Sequence, residues 1–225
     1  MKPKFTLAAV CMLLIFTSCH RYYTASSFEE KTAKHKVIAI LPPQIVMTGQ
    51  LPKNVSKETI VALEEKESKM FQESLYSNIL RRANQGNKIM EVSLQPYTNT
   101  VALLEDHNIS IRDSWTKDDR ELAKLLGVDA VVRGSIQKDR YMSDEASLGI
   151  SVARGIVLAA SKSPLIIPVS NKTSDIQATC TLVSNGETLW NDSYKEGSNW
   201  NNPANEIIEN ITAKFARHFP YRRKA

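Results

Sequence analysis

The chain has 225 residues, 42% apolar and 24% charged, with a formal net charge of +5, a globular composition with enough chain for one sizeable core or two small ones. The positive excess is diffuse: Lys2 and Lys4 open the chain and Tyr221 to Ala225 (YRRKA) close it, with no Arg/Lys stripe interleaved with aromatics, which argues against a nucleic-acid partner. Three cysteines, Cys11, Cys19 and Cys180, two of them in or at the end of an apolar leader, allow no disulfide framework and no C-x-x-C site.

Residues 1–18 divide into a basic start, an apolar stretch from Phe5 to Phe16, and the small residues Thr17 and Ser18. About twelve apolar residues fall short of the roughly 20 that a permanent membrane helix needs. The layout resembles a bacterial lipoprotein signal, in which the thiol of the next residue, Cys19, is lipidated and the cysteine then becomes the mature N-terminus. Phe16 stands where such signals usually carry leucine. His20, rather than aspartate, follows the cysteine, which points to the outer membrane. Residues 19–35 are polar and unpatterned, and read as a tether between lipid and domain.

The run Lys36 to Pro43 (KVIAILPP) reads as a buried first strand stopped by its prolines. From about Ser56 to Ala83, Ile60, Leu63, Met70, Phe71, Leu75 and Ile79 recur near helical spacing, interrupted by Glu67. Gly86 closes that helix. Lys88 to Leu94 alternates like a second strand, and a short helix follows with Thr98 or Asn99 as its cap. The sharpest local grammar is TKDDRELAKLLGVDAVVRGSI. Thr116 and Asp119 look like a capping box, Leu122, Leu125 and Leu126 form an apolar face, and Gly127 is a natural stop before a third strand. A helix feeding a strand through one glycine implies an α/β layer with the first and third strands as neighbours. Asp129, just past that glycine, settles the turn or the strand start.

Residues 141–170 are apolar, rich in small residues and ambiguous between helix and strand periods. Beyond them, Asn185–Gly186 is the turn of a β-hairpin. A last helix follows, with Asn202 as cap, Pro203 at its first position, Ile207, Ile208, Ile211 and Phe215 on its buried face, and Pro220 at its end.

These elements, in this order, resemble the periplasmic domain shared by CsgG-type curli-secretion-channel lipoproteins, penicillin-binding-protein activator lipoproteins and the N-terminal domain of the Tol-Pal propeller protein. LGVDAVVRGSI and NGETLW carry most of the match, and the likeness is nearest to uncharacterised lipoproteins of the group. The resemblance implies an α/β (α+β) fold: one layered domain over 36–221, with a mixed sheet of about five strands packed by helices, and a basic tail at 222–225. It implies binding, scaffold or pore-forming work rather than catalysis. An envelope-protein partner and a homo-oligomer are both compatible with it.

No constellation in the sequence names a reaction. Gly-rich phosphate loops, G-x-S-x-G and H-E-x-x-H are absent, and His20, His35, His107 and His218 are scattered without ligands at metal spacing. No catalytic, cofactor or metal residue is therefore assigned. Trp115, Trp190 and Trp200 all read as packing residues, with an exposed partner contact as the alternative for Trp200, which lies in a polar loop. The expected function is a lipid-anchored outer-membrane protein that binds proteins in envelope assembly or maintenance. The alternative is an oligomeric secretion channel that inserts 141–170 into the bilayer. In that segment Arg154, Gly155, Pro164 and Pro168 spoil the strands a pore would need, which favours a helix-and-loop insertion.

Overall fold

The computed structural model describes residues 22–50, 55–83, 85–141, 172–199 and 202–224. In its first half lie β1 (Tyr22–Thr24), α1 (Phe28–Thr32), β2 (Val37–Ile40), β3 (Gln44–Gly49), α2 (Lys57–Ala83), β4 (Lys88–Met90) and β5 (Ser93–Leu94). The second half holds α3 (Tyr97–Asp106), α4 (Ile111–Thr116), α5 (Asp119–Leu126), β6 (Ala130–Arg140), β7 (Ser174–Ser184), β8 (Glu187–Ser198), α6 (Ala204–His218) and β9 (Arg222–Lys224).

The first strand stops ahead of its prolines as expected, and a further strand resumes just beyond them. β2 and β3 lie end to end along one partner, β6, and both pair with it in parallel. Proline cannot donate to a ladder, so Pro42 and Pro43 interrupt the line and Gln44 resumes it. Across the break is Gly134, where a Cβ would come within 2.7 Å of the Pro43 Cβ. The seven-stranded sheet runs β1-β8-β7-β6-β2-β5, with β3 beside β6. β2, β3 and β5 join by parallel pairs and β6, β7, β8 and β1 by antiparallel ones. The fold is thus α+β with a mixed sheet, and the expected neighbours β2 and β6 are adjacent. The sheet exceeds the expected five strands because β1 and β3 also join it.

Two expected boundaries change. The stretch read as a tether is folded from Tyr22 onward: β1 pairs with β8, Tyr22 opposite Asp192, and Phe28 of α1 is buried in the core. Its few apolar residues, too sparse to show a period, make these contacts. The basic tail is also structured, since β9 pairs antiparallel with β4 and Arg223 bonds Glu91 at 3.0 Å and also Glu29. The expected second strand is accordingly split, β4 pairing with β9 and β5 with β2.

One face of the sheet carries α2 and α6. Phe71, Leu75 and Ile79 from α2 and Ile208, Ile211 and Phe215 from α6 close over Ile38, Val132, Ile136, Ala178 and Leu182. Ser56 starts α2, its Oγ accepting the Thr59 amide at 3.2 Å. The interruption noted at Glu67 has a physical cause. The buried face of α2 bears polar residues because it serves the broken strand: Gln72 Nε2 donates to the Ile40 carbonyl at 2.7 Å, Ser68 Oγ to the Pro43 carbonyl at 2.7 Å, and Glu64 accepts the Met47 amide at 2.8 Å. Glu67 itself accepts from the buried Lys138 at 3.0 Å. Leu63, expected on the buried face, is exposed.

The opposite face is covered at one end only. Leu104, Ile109, Leu122 and Leu126, from α3, α5 and the loop between α3 and α4, pack on Ala39, Leu41, Val131 and Val183. The N-cap of α5 is Asp118, accepting the Arg120 and Glu121 amides, instead of Thr116, which ends α4. The side-chain capping box belongs to Ser110 and Asp113, at the start of α4. Gly127, at φ 67°, closes α5 as expected. α3 starts at Tyr97 after Pro96, without the expected Thr98 or Asn99 cap. Likewise Pro203, not Asn202, precedes α6, and no side chain caps it.

Asn185 and Gly186, at φ 52° and 78°, form the expected two-residue hairpin turn. A bulge follows: Val183 faces Thr188 but Leu182 faces Trp190. The extra residue, Leu189, lets both Leu189 and Trp190 be fully buried, which explains the NGETLW phrase structurally.

Candidate functional site

Asp129 stands at the start of β6 and receives the Lys36 and Val37 amides at 2.7 and 2.9 Å. Burial raises its carboxyl, but those amides, together with the charges of Lys36 and of His35 once it is protonated at acidic pH, outweigh burial and hold it below the usual carboxylate value. Next to it, His35 Nδ1 lies 2.6 Å from the Tyr221 hydroxyl, and His35 Nε2 lies 3.2 Å from Ser184 Oγ. Ser184 Oγ is in turn 3.0 Å from the Asp129 carbonyl. Burial lowers the His35 pKa against the opposing pull of Asp129. Burial, helped by Asp129, raises that of Tyr221.

A neutral imidazole and a protonated phenol fix the donors. Tyr221 donates to Nδ1, Nε2–H donates to Ser184, and Ser184 donates to the Asp129 carbonyl. With that polarity the serine proton points away from histidine, so the arrangement joins chain segments and does not activate a nucleophile. A cavity of about 530 Å³ adjoins it, lined by Glu29, Glu30, His35, Glu91, Tyr221 and Arg223.

His218, on the last turn of α6, places Nδ1 2.9 Å from Asp192 Oδ2. Asp192 is fully buried on β8, and its Oδ1 accepts the Ser193 amide at 2.8 Å. Tyr22 of β1 stacks on the His218 ring at 5.1 Å. The N-terminal strand is therefore locked to both β8 and α6. Neither histidine cluster shows in the sequence, because the partners lie 26 to 186 residues apart and no local spacing joins them.

Arg133 organises the boundary of the half-covered face. Its guanidinium donates to the carbonyls of Ser114 at 2.9 Å and Trp115 at 3.0 Å, and also to Lys117 O and Asp119. The C-terminal carbonyls of α4 thus gain a cation. Beside it is a pocket of about 230 Å³ lined by Leu41, Gln44, Trp115, Ser135, Thr179 and Thr181, among others. Beyond this pocket Gln137, Gln177, Ser193 and Lys195 are exposed, and among the described residues no element covers them. Trp115 packs under the Arg112 guanidinium at 4.9 Å and Trp190 against Phe219, both as packing residues. Cys180 is wholly buried, and burial with nearby Asp192 drives its thiol pKa up, so it is no nucleophile. Among the described residues no group of three or more His, Cys, Asp or Glu is arranged to hold a metal.

Cys19, Trp200 and nearly all of 141–170 lie outside the described residues. Tyr141 and Thr173 mark where that segment leaves and rejoins the sheet: the Tyr141 amide donates to the Thr173 carbonyl at 3.1 Å, at the open end of the β6–β7 pair. Among the described residues no helix is long and apolar enough to cross a membrane.

No family model matches the chain, and no curated protein matches it. Solved structures do. Lipoprotein GNA1162 from Neisseria meningitidis is 12% identical over 81% of this chain and 98% of that one, with a TM-score of 0.38. The PelC dodecamer from Paraburkholderia phytofirmans is 8% identical over 80% and 85%, at 0.37. The LpoB C-terminal domain from Salmonella enterica is 14% identical over 84% and 93%, at 0.31. At these identities and scores no family or role of this chain is read from them.

Proposed function

We propose that this is a bacterial lipoprotein, anchored by acylated Cys19 in the outer membrane with its domain in the periplasm. It acts without catalysis, by binding proteins in envelope assembly or maintenance. The observation that carries this reading is the junction of leader and fold. A short basic-apolar-small leader ends at Cys19, and the described fold begins three residues later with a paired strand.

The chemistry of the described residues supports a binding role. The residues that elsewhere do acid–base or nucleophilic work, namely His35, Ser184, Asp129, Asp192 and His218, join strands and helices here. The half-covered sheet face supplies hydroxyl and amide groups for contact. Trp200 remains the proposed aromatic contact. Crosslinking in intact cells followed by mass spectrometry tests the reading, with Cys19→Ala as control. The expected result is a membrane-associated wild type crosslinked to an envelope protein, and a Cys19→Ala chain released from the membrane fraction. A Cys19→Ala chain that still fractionates with membranes contradicts the anchor.

A further inference from the structure

The span between the anchor and the fold is far shorter than the sequence suggests. Residues 19–35 read as a polar tether, yet Tyr22 to Thr24 pair with Asp192 to Trp190. Tyr22 also stacks on His218, which is bonded to the buried Asp192. Only three peptide steps separate Cys19 from Tyr22, and at roughly 3.4 Å each they reach no more than about 10 Å. A lipid on Cys19 therefore fixes more than the compartment of the domain: it fixes which edge faces the bilayer.

The structure assigns the β1–β8–α6 rim as a membrane-apposed surface that rests on anionic phospholipid headgroups. This deepens the lipid-anchor reading and rests on it. The rim has suitable chemistry. Tyr23 projects at 54% exposure, an amphipathic ring of the kind that sits at headgroup level. Around it, Lys195 is exposed on β8, Lys214 bonds the Ser193 carbonyl beside the β1 pairing, and Arg217 is exposed on the same last turn of α6 as His218. Of the acidic groups on these elements, Asp192 is buried against His218, Glu187 pairs with Lys31 and Glu209 with Arg81, while Glu196, which accepts from the Tyr194 hydroxyl, and Glu206 are exposed. Near a negatively charged membrane each such cation is favourable, within a Debye length of the surface. The opposite edge, β5 with α3, lies five strand positions away, or roughly 24 Å at ~4.8 Å per strand, and is turned toward the periplasm.

The test uses the full mature lipoprotein, extracted from membranes and reconstituted in vesicles of phosphatidylethanolamine and phosphatidylglycerol (3:1) carrying a headgroup nitroxide quencher. A thiol-reactive fluorophore is placed at Tyr23→Cys, Arg217→Cys or Glu105→Cys, the last an exposed α3 site at the far edge. Quenching at 23 and at 217 is expected to exceed that at 105 at least threefold. Inserting twenty Gly/Ser residues after His20 is expected to reduce the difference while the protein still floats with the vesicles. Equal quenching at all three sites in floating protein lacking the linker overturns the orientation alone, and a difference that the linker leaves undiminished overturns the claim that the short span sets it. Protein that does not float overturns the anchor, and the orientation with it. The Arg217→Cys variant keeps the test valid should Tyr23→Cys disturb β1.

Discussion

The two faces of the sheet differ in how much they bury. Over one, α2 and α6 lie side by side and seal a core that runs from Ala25 to Tyr221. A polar seam of Ser74, Asn78, Arg81, Glu209 and Thr212 joins the two helices. Over the other, α3 to α5 close only the end near Val131 and Val183, and beyond Arg133 the strands present Gln137, Gln177 and Ser193 outward. Stability is therefore concentrated on one face, and the other keeps surface free for contact.

The comparison can be broken in order of expected effect. Phe215→Ala, fully buried between α6 and the sheet, is expected to cost about 3–5 kcal/mol in urea unfolding. Gly134→Ala, at the seam where Pro43 crosses β6, is expected to cost about 1–3 kcal/mol by the same measurement, because the methyl group comes within 2.7 Å of the Pro43 Cβ, a ring carbon that cannot swing away.

The third effect is a pH dependence. The folded state holds His35 neutral, with a pKa below 6.5, so the unfolded chain binds more protons in the window between the folded value and 6.5. Stability contributed by this site is full above that window and lost as pH falls through it. The melting temperature should fall between pH 7.5 and 5.5, and His35→Gln should flatten the fall. Asp129, whose carboxyl is depressed, adds a separate loss only below its ordinary value near 3.8. The smallest effect belongs to the open face: Gln177→Ala should change stability by no more than about 0.5 kcal/mol. A cost there equal to that of Phe215→Ala would show that both faces are sealed.

Legibility in the sequence follows the range of the interactions. α5 and its Gly127 stop, the Asn185–Gly186 turn and the apolar face of α6 are governed by neighbours within a few residues, and all three are visible. β1 and β9 are three-residue strands whose pairing depends on β8 and β4, so nothing local announces them. The expected caps at Thr98 or Asn99, Thr116 and Asn202 lie one to three positions from the observed Pro96, Asp118 and Pro203, since several polar residues crowd each helix start. α2 hides its role for a different reason. Its buried Glu64, Glu67, Ser68 and Gln72 look like an interrupted stripe, and they make sense only once Pro42 and Pro43 have freed backbone groups for them to satisfy. The site is less legible than the fold. Cys19 is readable from the leader, whereas the His35 and His218 clusters and the short reach from Cys19 to the rim require the strand pairings.

Mass spectrometry of the N-terminal peptide, from protein extracted out of native membranes, tests the anchor most directly. The account predicts a mature chain that starts at Cys19 with acyl-bearing lipid on its sulfur. A chain that begins elsewhere, or an unmodified Cys19 in membrane-bound protein, would contradict it.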